Sequence, residues 1–239
     1  YGQTLFRQQF QLGLGLEHKY LRIDSETIGL DENTQLRGII IENSHIFSTF
    51  GNLRLDTFDN KYYPTNGVFF DGDFHLYAFS SDFNNDFEEF SIAKGKIAYV
   101  FSPLHKFAFT IGSEAGFKIG NSNMNTLDFF LGGYGNKPIN GIVPFYGYDF
   151  ISLSGDSYIK GTLDLDFEVF NKNHIIASAN FANVEDGLFK NGNWLTSPDF
   201  SGYALGYGIE TLLGPVEVKW SYSPEVDESQ YFFVVGFRF

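Results

Sequence analysis

Cysteine is absent from the 239 residues, which excludes a disulfide framework and a zinc–thiolate site. A long hydrophobic run is absent too. The longest apolar stretch, Tyr231 to Phe237, is strand-length and far short of the roughly 18 residues a membrane helix needs. Positive charge is scarce: 16 Lys and Arg stand against 29 Asp and Glu, a net charge of -13, and the isoelectric point is about 4.7. Such a chain lacks the basic surface that grips a phosphate backbone, which argues against nucleic acid as a partner. No stretch sustains a 3.6-residue apolar period, so essentially no helix is expected. The chain opens on Tyr1 and carries no signal peptide, which reads as a processed product or a part of something longer.

Aromatic and small residues are plentiful. There are 29 Phe, 14 Tyr and 26 Gly, and 43% of residues are hydrophobic, although mean hydropathy is slightly negative at -0.14. The order of these residues matters more than their number. In Lys160 to Phe170, Lys160, Thr162, Asp164, Asp166 and Glu168 alternate with Leu163, Leu165, Phe167 and Val169. A helix would scatter both sets around its axis, whereas a strand sends them to opposite faces. The same period of two runs through Phe10, Leu12, Leu14 and Leu16, through Tyr203, Leu205, Tyr207 and Ile209, and through Val216, Val218, Trp220 and Tyr222. Strands are expected at about 5–22, 45–58, 67–81, 91–102, 106–119, 127–133, 157–170, 174–185, 201–212, 215–223 and 230–239. Tight turns fall at Asn171-Lys172-Asn173, Gly214-Pro215 and Pro64 to Gly67, and longer connections at 23–44, 134–156 and 186–200. No domain boundary shows, so 1–239 reads as one β domain.

Alternation does not say which face is which. In a soluble barrel or sandwich the apolar face points inward; in an outer-membrane barrel it meets lipid and the polar face lines the lumen. Three features favour the membrane reading. Runs such as 5–22 and 157–170 exceed the roughly 5–6 residues of soluble strands, and roughly 10 tilted residues span the ~25 Å apolar band of such barrels. Gly13, Gly15, Gly116, Gly206 and Gly208 sit on the polar face, where a crowded interior has use for them and a water-facing strand does not. Aromatics close the apolar rows at Phe6, Tyr20, Tyr203, Tyr222, Tyr231 and Phe239, as in the girdles at the two membrane interfaces. The expected fold is therefore all-β: an antiparallel transmembrane barrel with about 11 or 12 strands visible. The count of 11 is odd where single-chain bacterial barrels are even, so 127–133 is read as only partly a strand, or one strand is missing from 23–44.

Several motifs carry a resemblance. YFFVVGFRF (231–239) is similar to the C-terminal assembly signal of bacterial outer-membrane barrels, carried here by Tyr231, Phe233, Val235, Phe237 and Phe239. KYYPTNG (61–67) resembles the Pro-Thr-Lys-Gly turn of the bacterial surface antigen superfamily. FFLGGYG (129–135) followed by PFYGYD (144–149) resembles its Gly-Gly segment and inward-folded sixth loop, and LLGPVEVKWSYSP (212–224) its penultimate hairpin. Within that superfamily the chain looks most like the barrel domain of bacterial patatin-like phospholipases. The resemblance implies a barrel of roughly 16 strands, an even number in keeping with single-chain barrels, of which this chain would be a C-terminal part. It also implies a bacterial outer-membrane location, lipid and the barrel-assembly machinery as partners, and a homodimer as an admissible state. Where the superfamily's transporters carry Arg-Gly-aromatic in the sixth loop, this chain has Tyr146-Gly147-Tyr148. That departure speaks against protein translocation and for the patatin-type branch, whose hydrolase would lie outside this sequence. The alternatives are a stand-alone pore or transporter and a soluble β-barrel binding an apolar ligand.

Ser113, Ser154 and Ser201 do not fit a Gly-x-Ser-x-Gly elbow, so no catalytic residue is assigned. No metal or cofactor is expected; Asp71, Asp73 and His75 share a face but read as ordinary lumen residues. The residues expected to face the lumen are Asp164, Asp166, Glu168, Glu210, Glu217 and Lys219, with Lys and Arg of other strands as partners of the acids. Phe145, Tyr146, Gly147 and Tyr148 are expected in the inward loop, as plug or gate.

Overall fold

A computed structural model of the chain describes residues 2–5, 9–22, 43–80, 87–120, 127–134 and 141–236. Eleven strands form one antiparallel sheet in chain order: β1 (Gly2–Leu5), β2 (Phe10–Arg22), β3 (Asn43–Asp56), β4 (Gly67–Ser80), β5 (Phe90–Leu104), β6 (Phe107–Ile119), β10 (Ser157–Phe170), β11 (Asn173–Glu185), β12 (Phe200–Thr211), β13 (Gly214–Ser223) and β14 (Glu228–Val235). Three short strands, β7 (Phe129–Leu131), β8 (Ile142–Val143) and β9 (Leu153–Gly155), make a separate small sheet in the connection between β6 and β10. β1 and β14 end the large sheet, and no pairing joins them among the described residues.

The period of two fixes the faces. One row of directly opposed residues crosses seven strands as Phe101, Phe109, Leu165, Ala177, Leu205, Trp220 and Tyr231, all apolar or aromatic. The next row runs Val100, Thr110, Asp164, Ser178, Ala204, Ser221 and Gln230. A one-residue slip would exchange the rows, so every strand's register is pinned by the same pattern. The apolar face lies bare: Leu14, Leu16, Phe74, Ile97, Leu163, Leu205, Trp220 and Phe233 are all exposed. The polar face is covered, because the β7–β9 sheet packs against it. We call it the inner face.

The two ends of the sheet differ. At one end β5–β6, β10–β11 and β12–β13 are joined by two-residue turns, two of which place Lys106 (φ 71°) and Lys172 (φ 62°) in the left-handed region. The ten-residue 57–66 connection lies at that end as well. At the other end lie the long connections, including 120–156 and 186–199.

Three expectations need correction. Residues 127–133 contribute β7 to the small inner sheet and no stave to the large one. The strand expected at 5–22 begins as β2 at Phe10, and Gly2–Leu5 folds back on it as the separate strand β1, with Gly2 opposite Gly13; the two changes cancel, leaving 11 strands by a different route. A four-residue helix, α1 (Leu188–Asn191), and a single 3-10 turn (Asn193–Leu195) occupy the 186–199 connection where no helix was expected. The expected girdle residues Phe6 and Phe239 and the 23–42 connection lie outside the described residues.

Candidate functional site: the filled inner face

Large side chains of the 120–156 connection fill the space against the inner face. Phe129, Leu131, Phe145 and Tyr148 join Tyr158 of β10, Phe90 of β5 and Tyr77 of β4 in one buried cluster. Phe145 and Tyr158 are completely buried, and the Phe129 ring meets Tyr158 edge-on at 4.9 Å. Each such ring removes a large apolar area from water, and truncating one in a closed core costs about 3–5 kcal/mol. The glycines of the polar face now have their reason. A Cβ on Gly116 would stand 2.6 Å from the Tyr158 ring and 2.7 Å from Phe129. One on Gly202 would overlap the Tyr146 carbonyl oxygen, and one on Gly208 the Tyr63 hydroxyl.

The PFYGYD segment is tied down at each residue. Lys160 Nζ donates to the Pro144 carbonyl at 3.1 Å and to Glu114 Oε2 at 3.2 Å, and the Tyr158 hydroxyl donates to Glu114 at 3.0 Å. The Phe145 N–H donates to Gly133 O at 2.9 Å, and the Gly133 N–H to Tyr148 O at 2.8 Å. Asn180 accepts from the Tyr146 N–H (2.9 Å) and donates to the Gly202 carbonyl (3.0 Å). Gly147 has φ 77°, donates its N–H to Ser221 Oγ at 3.2 Å, and leaves no room for a Cβ, which would meet the Ser223 nitrogen at 2.5 Å. Left-handed backbone and direct apposition to β13 together demand glycine there. The Tyr148 hydroxyl reaches Glu225 at 3.4 Å.

The strand residues named from sequence lie on the inner face in two groups. Glu217 and Lys219 are almost fully buried. Glu217 accepts from the Tyr63 hydroxyl (3.0 Å) and the Tyr134 hydroxyl (2.7 Å). Lys219 Nζ lies 3.7 Å from Glu217, 3.3 Å from the Tyr146 hydroxyl and 4.6 Å from the centre of the Tyr134 ring. Thus the position where transporters of the resembled superfamily bring an Arg holds an aromatic ring, and the cation comes from the wall. Among the described residues Asp166 and Glu168 pair with no Lys or Arg side chain. Asp166 meets His174 Nδ1 at 2.9 Å, and Glu168 accepts the Lys172 backbone N–H at 3.0 Å. Glu210 lies 3.7 Å from His174 Nε2. Asp164 stands directly opposite Ser178 on the inner face.

Asp73 pairs with His75 (3.1 Å) and Lys94 (3.3 Å), and His75 with Glu17 (3.2 Å). Asp71, Lys96, Glu114 and Lys160 stand directly opposed across four strands, alternating in sign, an arrangement that stabilises a sheet pair by pair. A cavity of about 290 Å³ remains beside this row, lined by Asn52, Asp71, Asp73, Lys94, Gly95, Lys96 and Glu114. Among the described residues no group of three metal-ligating side chains converges. Tyr231, Phe233 and Val235 project from the outer face, while Phe237 and Phe239 lie outside the described residues. Sequence reading missed Tyr63 and Tyr134, whose partner Glu217 is remote in the chain, and His174; Gly208, opposite His174 and against the Tyr63 hydroxyl, was a local signal for two of them.

A long-stranded antiparallel sheet with a bare apolar outside and a packed polar inside is the wall of a β-barrel of the membrane type. The model of the OMP85 superfamily matches residues 1–239, and the chain belongs to that superfamily. No curated protein matches it. Among solved structures it is similar to that of BamA from Haemophilus ducreyi lacking POTRA domains 1–3, with a TM-score of 0.65 and 13% identity, covering 95% of this chain and 51% of that one. The likeness bears out the all-β antiparallel barrel fold, and the chain spans about half the length of that relative. The family points to the bacterial outer membrane.

Proposed function

We propose that this chain is an outer-membrane β-barrel that serves as a membrane anchor, its lumen occupied by its own 120–156 connection. The observation that carries this reading is the burial of Phe145 and Tyr148 against the inner face while the outer face stays apolar and bare. Lipid would cover the outer face, as a closed hydrogen-bonded barrel allows. The end with two-residue turns would face the periplasm, following the usual asymmetry of such barrels. Asp164, Asp166, Glu168 and Glu210 would line the lumen as partners of its hydrogen-bond networks. Tyr231, Phe233, Val235, Phe237 and Phe239 would present the terminal strand to the barrel-assembly machinery during insertion. The finer reading is that the anchored partner is a patatin-like hydrolase on the same polypeptide, and that the barrel passes lipid or product for it. The motif order and Tyr146 in place of Arg support that branch.

One observation favours the second reading, a pore: the charged cavity of about 290 Å³ left beside the plug. Planar-bilayer recording separates the two. An anchor gives heat-modifiable, detergent-dependent protein with no steady conductance. Stable open channels from the unmodified protein would overturn the anchor reading in favour of the pore.

A further inference from the structure

Two plugs enter the inner space from opposite ends, and both end on one carboxylate. The 57–66 connection comes from the end where all other turns are short. It is built to keep its shape: Asp59 accepts the Thr65 N–H (2.8 Å), the Thr65 hydroxyl (2.5 Å) and the Asn66 N–H (3.2 Å), and Asn60 Oδ1 accepts the Tyr62 N–H at 2.9 Å. This brace aims Tyr63 inward. Its ring stacks on His174 at 3.9 Å and 5°, its hydroxyl fills the place of a Gly208 side chain, and Asn60 Nδ2 reaches Glu210 at 3.5 Å. Tyr63 is 5% exposed, although it belongs to a turn. Tyr134 belongs to the long connection at the other end. It stacks on Tyr146 at 5.4 Å, and Lys219 lies against both rings.

We propose that Glu217 is a positioning residue that couples these two plugs, so that loosening either one loosens the other. The inference rests on the filled-lumen reading above. Oε1 takes the Tyr63 hydroxyl and Oε2 the Tyr134 hydroxyl, from residues 154 and 83 positions away. Glu217 is 3% exposed, so water does not readily replace a lost donor. When Tyr134 withdraws, the carboxylate loses one donor and Lys219 loses the nearer of the two rings it lies against. The carboxylate then turns toward its remaining donors, and the Tyr63 bond weakens with it, since bonds in a buried network depend on one another. The effect must run equally in the reverse direction, because coupling between two equilibria is reciprocal.

Hydrogen exchange read by mass spectrometry on the detergent-folded chain tests this. Tyr134→Phe removes one hydroxyl from the long connection. It should speed exchange of the 57–66 amides by about fivefold or more, the low end of ordinary coupling. Tyr63→Phe should speed exchange of 127–134 and 141–148 by a similar factor. Glu217→Gln should speed both. Tyr148→Phe, which loosens the long connection at Glu225 instead, should leave 57–66 within about twofold of the parent, below that same coupling range. If Tyr134→Phe leaves 57–66 unchanged, or Tyr148→Phe accelerates it as much, the plugs are not coupled through Glu217. The three Tyr→Phe variants each lose a single oxygen, so the test stands even if Glu217→Gln does not fold. Loss of heat-modifiable mobility in the parent protein would instead strike the barrel reading itself.

Discussion

Leu163→Arg puts the lipid-facing assignment at risk in a single substitution. Leu163 sits midway along β10, 49% exposed, with Ile111 and Ala179 directly opposite on the bare face. The position is half exposed on the bare face, so packing is not the main issue. In water, a surface change of this kind shifts stability by no more than about 0.5 kcal/mol. At the middle of a bilayer an arginine on a barrel's lipid face costs about 2–4 kcal/mol, falling to about 0–1 kcal/mol near the interface. Leu212→Arg supplies the interfacial control, since Leu212 lies in a hairpin turn and is 97% exposed. A difference of about 2 kcal/mol between the variants lowers the folding constant roughly thirtyfold. Guanidinium titration in phospholipid vesicles, with folded protein scored by heat-modifiable gel mobility, measures it. Equal costs below about 0.5 kcal/mol at both positions would place β10's apolar face in water and refute the reasoning.

Gly202→Ala should destabilise by about 1–3 kcal/mol, because the new methyl overlaps the Tyr146 carbonyl. Gly161→Ala has nothing within 4 Å of the new methyl, and should be neutral or stabilising by about 0.5–1 kcal/mol; the same titration scores both. Phe145→Ala empties a fully buried site and should cost about 3–5 kcal/mol, with protease cleavage appearing in 141–150. Acid should release the Tyr148 end of the plug. Burial pushes the Glu225 carboxyl up, but hydrogen bonds from Ser201 and Ser223 outweigh it and hold the group below its ordinary range. Its contribution is therefore complete above the unfolded value, about 4.3, and fades only as pH falls through the lower folded value. Pepsin cleavage near Tyr148 should rise below about pH 4 in the parent, and Glu225→Gln should flatten that dependence.

The faces were legible from sequence wherever residues alternate, because a strand's geometry converts order directly into side. Leu163 and Asp164 need no tertiary information to be told apart. The inner sheet was not legible as such. FFL in β7 is short, apolar and β-prone, which describes a barrel stave and a plug strand equally well. The hairpin between β1 and β2 was hidden for a related reason: Phe6 to Gln9 contains no Gly, Pro, Asn or Asp to punctuate it. Glu217 could be assigned to the polar face by parity, but its meaning lies in Tyr63 and Tyr134, which no local pattern joins to it. Tyr63 in particular reads from sequence as one more aromatic beside a turn. The glycines came closest to revealing the interior: Gly116, Gly202 and Gly208 mark where another segment presses on the wall.

Trp220 offers the most direct reading of what covers the outer face. It lies on β13 in the apolar row with Leu205 and Tyr231, and Trp194 is the only other tryptophan. In a Trp194→Phe variant reconstituted into vesicles, lipids brominated in the acyl chain should quench the remaining fluorescence strongly while aqueous iodide leaves it nearly unchanged. Quenching by iodide with no response to brominated lipid would put Trp220 in water and contradict the membrane barrel.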